Sequence, residues 1–418
     1  MRLAALFLGF ALAGTGLAGG STLLIYDSPS KPFSLQNEIE PIAILLARFD
    51  PAIERRMGSE VRLADMEKAA RIVVAGIGGF PAMSPPCLEY LEKTKKPVAG
   101  VGAAATLAIP NSPRPSKPSV SLPKGQLVYL GREWPAQVDP YFPAVVDSSL
   151  ILARIHTADG EKALCWRSGN RLGFAALPAA PPLSMVFSDA VMDLFSPGVS
   201  TAPGILFIVR DFNPSCSPDS FRRLVDYFSH DRIPFAVTAQ MRDLPEGTTP
   251  MPREEFLAAL QYAELHGGRV FVRGGEGLKE AEKFAPVKIC GIEEPAQPDP
   301  TAIQIGRPTL ARTPDDPTSP FFIHAPMRLA GGGWLWPANV RGGLDGDLVS
   351  SIRTQVRDII PFRGAVAGVV IPAWLPFQSM RALADAARSP GISPIDPLTA
   401  VPEPVSYTHL TLPTIYSV

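Results

Sequence analysis

Short apolar runs alternate with amphipathic segments along most of this chain. In the first part, apolar runs at 21–26, 71–76 and 98–102 are separated by amphipathic segments at 39–49 and 87–95. Short continuous apolar runs between helical segments are typical of buried parallel strands. The pattern predicts an open, doubly wound α/β domain.

The pattern changes between residues 126 and 177, where short alternating runs are separated by glycine turns. A period of two residues is typical of antiparallel strands with one exposed face. We therefore expect an antiparallel β extension of the first domain. This domain is predicted to span 19–197, and a helical run at 183–195 precedes the boundary near residue 198.

Residues 198–400 carry a second series of strands and helices. Amphipathic helices are predicted at 218–229 and 252–265, and they alternate with apolar strands. This order predicts an incomplete (β/α) barrel, in which chemistry takes place at the carboxyl ends of the strands. Asp211 follows the first of these strands directly. The predicted strands are 204–210, 234–239, 269–273, 287–290, 302–306, 320–324 and 366–371.

The two ends of the chain are not expected to belong to either domain. Residues 1–18 have a charged start, an apolar stretch and a small-residue end at Gly16-Leu17-Ala18, which predicts a cleaved secretory signal. We therefore expect a periplasmic or secreted protein with no transmembrane span after cleavage. Residues 405–418 resemble the conceptual translation of a sequencing adapter, so His409 is left out of the site.

Charge excludes one class of partner. Removal of residues 1–18 deletes Arg2, so 39 − 1 = 38 basic residues face 40 acidic residues, and the net charge is −2. Nucleic-acid binding requires a strongly basic surface. We therefore expect no nucleic-acid partner.

The four cysteines leave their oxidation state open. An exported protein can oxidise them, and the simplest pairing joins Cys87 to Cys165 and Cys216 to Cys290. Two other pairings are possible, and buried free thiols are the alternative.

A glycine turn in the first domain has two interpretations. Gly76-Ile77-Gly78-Gly79 follows a predicted strand, where such a turn can bind phosphate. It lacks the dinucleotide fingerprint, and a plain turn is the favoured interpretation. Asp27 follows the first strand, where it either binds a ligand or caps a turn.

Several segments carry a family resemblance. Residues 208–214, 233–238, 267–274, 336–339 and 364–372 are similar to polysaccharide-deacetylase-like proteins of domain-of-unknown-function family 2334, relatives of metal-dependent carbohydrate esterases. In the first half, residues 24–28, 98–102 and 167–170 resemble the amidotransferase-like domain that often precedes this barrel. The resemblance therefore implies an amidotransferase-like or flavodoxin-like domain followed by a deacetylase-like barrel at 198–400.

The resemblance also implies that the metal site is degenerate. The family has an Asp pair after the first strand and two histidines after the third. Here Asp211 matches one member of the pair, and Arg273 stands where the first histidine would be. A catalytic metal needs about three protein ligands. We expect no cofactor, unless other residues complete a site for a divalent metal such as zinc.

Arg210 and Arg273 suggest two uses for the altered site. Their guanidinium groups either neutralise Asp211 in a salt bridge or bind an anionic sugar or carboxylate. The sequence leaves both possibilities open.

Three functions remain in competition. The favoured one is a non-catalytic envelope protein that binds or helps process a polysaccharide, with Trp336, Trp374 and Trp334 as candidate stacking groups. The alternatives are a carbohydrate deacetylase, with metal ligands supplied by His324 or His266, and a glycoside hydrolase. The hydrolase would use two carboxylates chosen from Asp211, Glu276, Glu293 and Glu294.

Overall fold

A computed structural model describes most of the two predicted domains. The predicted signal 1–18, the predicted strand 302–306, Glu276 and the terminal segment 405–418 lie outside the described residues. The described residues are 21–27, 39–109, 119–198, 201–241, 250–273, 282–294, 308–311, 322–329, 332–341, 347–388 and 391–400.

The first half forms a mixed sheet with helices on both faces. Its elements are β1 (Thr22–Tyr26), α1 (Glu40–Leu46), β2 (Glu54–Met57), α2 (Leu63–Lys68), β3 (Arg71–Gly76), α3 (Pro85–Lys93), β4 (Val98–Gly102), β5 (Val120–Tyr129), β6 (Arg132–Tyr141), β7 (Ile151–Thr157), β8 (Gly160–Ser168), β9 (Arg171–Phe174) and α4 (Leu183–Phe195).

The first sheet confirms both the predicted α/β unit and its β extension. Its strand order is β2-β1-β3-β4-β9-β8-β7-β5-β6. The pairs from β2 to β9 are parallel, and those from β9 to β6 are antiparallel. Alternate residues of the parallel strands pack against α2 and α3 on one face and against α1 and α4 on the other.

The second half contains the remaining elements, in which strands and helices again alternate. They are β10 (Gly204–Phe212), α5 (Pro218–His230), β11 (Phe235–Ala239), α6 (Arg253–Leu265), β12 (Gly268–Arg273), β13 (Ile289–Glu294), β14 (Thr309–Ala311), β15 (Met327–Arg328), β16 (Trp334–Trp336), α7 (Leu348–Ile359), β17 (Val366–Pro372), α8 (Phe377–Ala387) and β18 (Ser393–Pro394).

Helix α5 shows how the sequence produces these elements. The Ser217 hydroxyl accepts a hydrogen bond from the Ser220 amide at 3.2 Å and so caps the helix. Pro218 occupies the first turn, where a missing amide proton costs little. The apolar residues of the helix form one buried stripe: Phe221, Leu224, Val225 and Phe228.

The second sheet curls on itself. Its order is β15-β16-β14-β13-β12-β11-β10-β17, and all its neighbours except β15 and β16 are parallel. Val340, just after β16, forms a parallel bridge with Val369 of β17. The Asn339 side chain accepts a hydrogen bond from the Gly368 amide at 2.9 Å. These contacts bring the two ends of the sheet together in a barrel-like arrangement.

The curled sheet has an inside and an outside, because successive side chains of a strand point to opposite faces. Residues such as Phe207 and Val237 point outward and pack against the surrounding helices. The inward residues form a separate apolar layer: Leu206, Ile208, Ala236, Phe271, Leu310, Trp336, Ala338, Val366 and Val370.

The largest core cluster contains buried residues of both halves and includes β4, α1 and α4 as well as α5 to α8. The halves also share polar contacts, such as the hydrogen bond from the Arg132 guanidinium to the Arg357 carbonyl at 3.0 Å. The predicted boundary near residue 198 therefore separates two sheets that share a packed core.

One predicted strand differs from the structure. Residues 322–324 of the expected strand 320–324 are buried but belong to no strand. The His324 carbonyl accepts a hydrogen bond from the Val366 amide at 2.8 Å, so this segment lies against the start of β17. The sheet instead uses the short strands β14 and β16, which carry too few residues for a recognisable period.

Candidate functional site

A charged layer lies above the apolar interior of the curled sheet, at the carboxyl ends of its strands. The inward row of β10 runs from Leu206 through Ile208 to Arg210. The same alternation leads from Phe271 to Arg273 on β12, and Glu293 is the register partner of Arg273 on β13. We call this region the mouth and define it by Arg210, Asp211, Thr238, Gln240, Arg273 and Glu293.

Two close ion pairs and one longer one occupy the mouth. The Arg273 Nη1 atom lies 2.5 Å from Asp211 Oδ1. Arg210 pairs with Glu293, and Arg273 Nε lies 3.9 Å from the second oxygen of Glu293. The sequence predicted that the arginines either neutralise Asp211 or bind an anion. In the structure Arg273 pairs with Asp211, whereas Arg210 pairs with Glu293.

The Arg210–Glu293 contact depends on the curl of the sheet. Strands β10 and β13 are three steps apart in the sheet order. Three steps of about 4.8 Å would separate them by roughly 14 Å in a flat sheet. Curling brings the inward side chains together across the interior, and the two become buried partners with side-chain exposures of 7% and 1%.

Asp211 reaches the mouth because β10 is irregular at its end. The pairing register of β10 and β11 shifts between Val209 and Phe212. Asp211 adopts a left-handed backbone with φ of 59°, which is rare for residues other than Gly, Asn and Asp. Its amide donates to the Thr238 hydroxyl at 3.0 Å. The irregularity lets consecutive residues, Arg210 and Asp211, both take part in the ion pairs.

Among the described residues, a few groups make up the exposed part of the site. The Asp211 side chain is 34% exposed, while Arg273 is largely buried. Trp374 is 65% exposed and follows Ala373, whose amide donates to the Arg210 carbonyl at 2.8 Å. The residue that carries this exposed indole therefore follows a backbone contact with Arg210, a residue of the mouth.

Trp336 and His324, two predicted binding residues, are buried away from solvent. Trp336 belongs to the apolar interior layer and presents no ring face to the surface. His324 is fully buried, and its ring lies 6.1 Å from that of Phe362. Burial, together with the charge of Arg48, lowers the pKa of His324 to about 3, so its ring is neutral at pH 7.

His266 lies on the opposite edge of the sheet. It ends α6, and its ring nitrogen Nδ1 is 2.7 Å from the Tyr262 carbonyl oxygen. Because β12 begins immediately afterwards, this histidine is at the amino end of the strands. The mouth is at the carboxyl end, so the two are separated by the length of β12.

Sequence reasoning did not assign Thr238, Gln240 or the pairing of Glu293 with Arg210. Thr238 and Gln240 continue the inward row that begins at Ala236. Extending the period-two pattern beyond each apolar strand is the signal that identifies such residues.

The glycine turn of the first half holds a carboxylate from the protein itself. Asp27 accepts hydrogen bonds from the amides of Ile77 at 2.8 Å, Gly78 at 2.7 Å and Gly79 at 3.1 Å. Asp27 therefore caps the turn that follows β3, where the sequence had left phosphate binding as an alternative.

All four cysteines are free thiols in the structure. Cys87 packs on one face of the first sheet and Cys165 on the other. Cys216 belongs to the outer core, whereas Cys290 packs against the interior layer of the second sheet. The two cysteines of each expected disulfide therefore lie in separate hydrophobic clusters.

Comparison with known proteins does not identify a family for this chain. No protein-family model and no curated protein matches it.

Within the described parts of the chain, no group of three His, Cys, Asp or Glu side chains is arranged to hold a metal ion. Over the same residues, no helix is both long and apolar enough to cross a bilayer.

Proposed function

We propose that this is an exported envelope protein that binds, or helps process, a cell-surface polysaccharide at the mouth without metal catalysis. The observation that carries the proposal is the ion pair between Asp211 and Arg273. Asp211 matches a metal ligand of the resembled family, and a guanidinium at 2.5 Å opposes a second cation at that oxygen. Export rests on the predicted signal, and the deacetylase-like character rests on the resemblance.

Trp374 supports carbohydrate binding at this position. An exposed indole offers a flat apolar surface on which the C–H face of a sugar ring can pack. Polar groups beside it can then fix the orientation of the ring hydroxyls. Asp211 supplies such a group at the edge of the same mouth.

We expect Trp374→Ala to weaken polysaccharide binding by about 1–2 kcal/mol, roughly a factor of 5–30. The substitution removes the apolar platform and leaves both ion pairs in place. The measurement is affinity electrophoresis of the purified protein through gels that contain cell-wall polysaccharides.

Leu265→Ala is the matched control, because Leu265 is 83% exposed and lies at the amino end of β12. It should bind as the wild type does. Equal weakening by both substitutions, or no binding by the wild type, would contradict the proposal.

A deacetylase is the alternative, and it predicts a different response to metal. Under our proposal, calorimetric titration of the wild type with zinc or cobalt shows no one-to-one binding. The Asp211→Ala variant therefore gives the same result as the wild type. The reason is that Arg273 already neutralises the Asp211 carboxylate. Tight binding that is lost in the variant would favour the deacetylase.

A further inference from the structure

Four buried polar atoms in the mouth and on the interior wall of the curled sheet have no hydrogen-bond partner among the described residues: Arg210 Nη2, Glu293 Oε2, Gln240 Oε1 and Trp336 Nε1. Arg210 Nη2 contacts Glu293 Oε1 as an ion pair. Glu293 and Trp336 are both register partners of Leu310. Gln240 directly follows β11, two residues after Thr238, and its amide donates to the Phe212 carbonyl at 3.0 Å. Such atoms are costly to bury unless water or a ligand completes their hydrogen bonds.

The mouth carries no net charge. Arg210 and Arg273 contribute +2, and Asp211 and Glu293 contribute −2, so the sum is zero. Each guanidinium is already engaged by a carboxylate. An anionic ligand would have to displace one of these carboxylates, and it would meet the repulsion of the displaced group.

We infer that the mouth receives an uncharged, hydroxyl-rich group, that is, a neutral glycan rather than an acidic one. A hydroxyl both donates and accepts hydrogen bonds. It can donate to the oxygens of Glu293 and Gln240 and accept from Arg210 Nη2 in the mouth. A carboxylate or phosphate ligand accepts only, so it leaves Glu293 Oε2 without a donor. This inference rests on the proposed function and names its ligand class.

The test compares two oligosaccharides of equal length, one a neutral glucan and the other made of uronic acids. Binding of each to the full-length protein is measured by calorimetry, at low salt and at about 1 M salt, where the Debye length is about 3 Å. We expect the wild type to bind the neutral glycan more tightly and with little dependence on salt.

Three variants sharpen the comparison. Gln240→Met keeps the size of the side chain but removes its polar atoms, and we expect about three- to tenfold weaker binding of the neutral glycan. Asp211→Asn removes the closer ion-pair partner of Arg273, which keeps only the 3.9 Å contact with Glu293, and is expected to increase binding of the acidic glycan. Gln137→Met, on exposed β6 of the first sheet, is the matched control and should bind as the wild type does.

The outcomes separate the two proposals. Preference of the wild type for the acidic glycan, or unchanged binding of the neutral glycan by Gln240→Met, would overturn the inference and leave polysaccharide binding in place. Failure of both glycans and of cell-wall polysaccharide to bind would overturn the proposed function, and the inference with it.

Discussion

Replacing Asp189 by alanine is expected to lower the free energy of unfolding by about 3–5 kcal/mol. Asp189 lies on α4 and is fully buried. Its carboxylate accepts hydrogen bonds from the Tyr129 hydroxyl at 2.6 Å and from the Arg363 amide at 2.9 Å. The Arg363 guanidinium adds contacts at 3.0 and 3.1 Å. The substitution leaves a cation and a phenol without their buried partner.

The pKa of Asp189 agrees with a strongly held carboxylate. Burial acts to raise this pKa, but the hydrogen bonds from Arg363 and Tyr129 outweigh it and place the pKa below its usual range. Burial, together with the Asp189 charge, raises the pKa of Tyr129. Because Arg363 belongs to the second half, this network ties the two sheets together.

Asp193→Ala is the matched control for this prediction. Asp193 lies one turn later on α4 and also pairs with Arg363, but its side chain is 38% exposed. Exposed ion pairs contribute about 0–1 kcal/mol. Chemical denaturation of both variants gives the comparison, and a loss for Asp189→Ala no larger than that for Asp193→Ala would contradict the prediction.

Acid should destabilise the protein through His324. Its pKa is 6.5 when exposed and about 3 in the folded protein, with burial as the main cause and the Arg48 charge as the second. At pH 7 both states hold a neutral ring. Between pH 6.5 and about 3, only the unfolded state takes up the proton. Stability therefore falls by about 1.4 kcal/mol per pH unit as pH decreases through this window.

The groups around His324 define the control. Arg48 and Asp189 are the charges that act on the ring, and Phe362 contacts it edge-on. His324→Asn removes the titrating group, so its free energy of unfolding should fall less steeply with acid than that of the wild type. His156→Asn, at an exposed site on β7, should keep the wild-type slope.

An NMR titration of the wild type tests the same idea without a variant. The His324 ring should remain neutral down to about pH 3. Protonation of this ring near pH 6 in the folded protein would contradict the prediction, even if His324→Asn fails to fold.

Local patterns predicted most of the elements. The apolar run 204–210 became β10 (Gly204–Phe212), and the predicted helix 218–229 became α5 (Pro218–His230). In both cases the signal lies within a few adjacent residues: an unbroken apolar run, or a cap followed by an apolar stripe. Strand β16 (Trp334–Trp336) was not predicted, because three residues are too few to show a period.

The candidate site was predictable only in part. The position of Asp211 at the end of a strand follows from the sequence, and its pairing with Arg273 was one of two expected arrangements. The pairing of Arg210 with Glu293 was not predicted. These residues are separated by three steps of the sheet, and only curvature brings their side chains into contact.

The sequence by itself determined most of the segments that form helices and strands, and which of their residues share a face, because these properties depend on neighbours along the chain. The tertiary structure alone decided which charges meet in the mouth and that His324 is buried beside Arg48 and Asp189. Long-range contacts of this kind depend on how the second sheet curls and on how the two halves share one core. The local spacing of apolar residues encodes neither the curl of the second sheet nor the core that the two halves share.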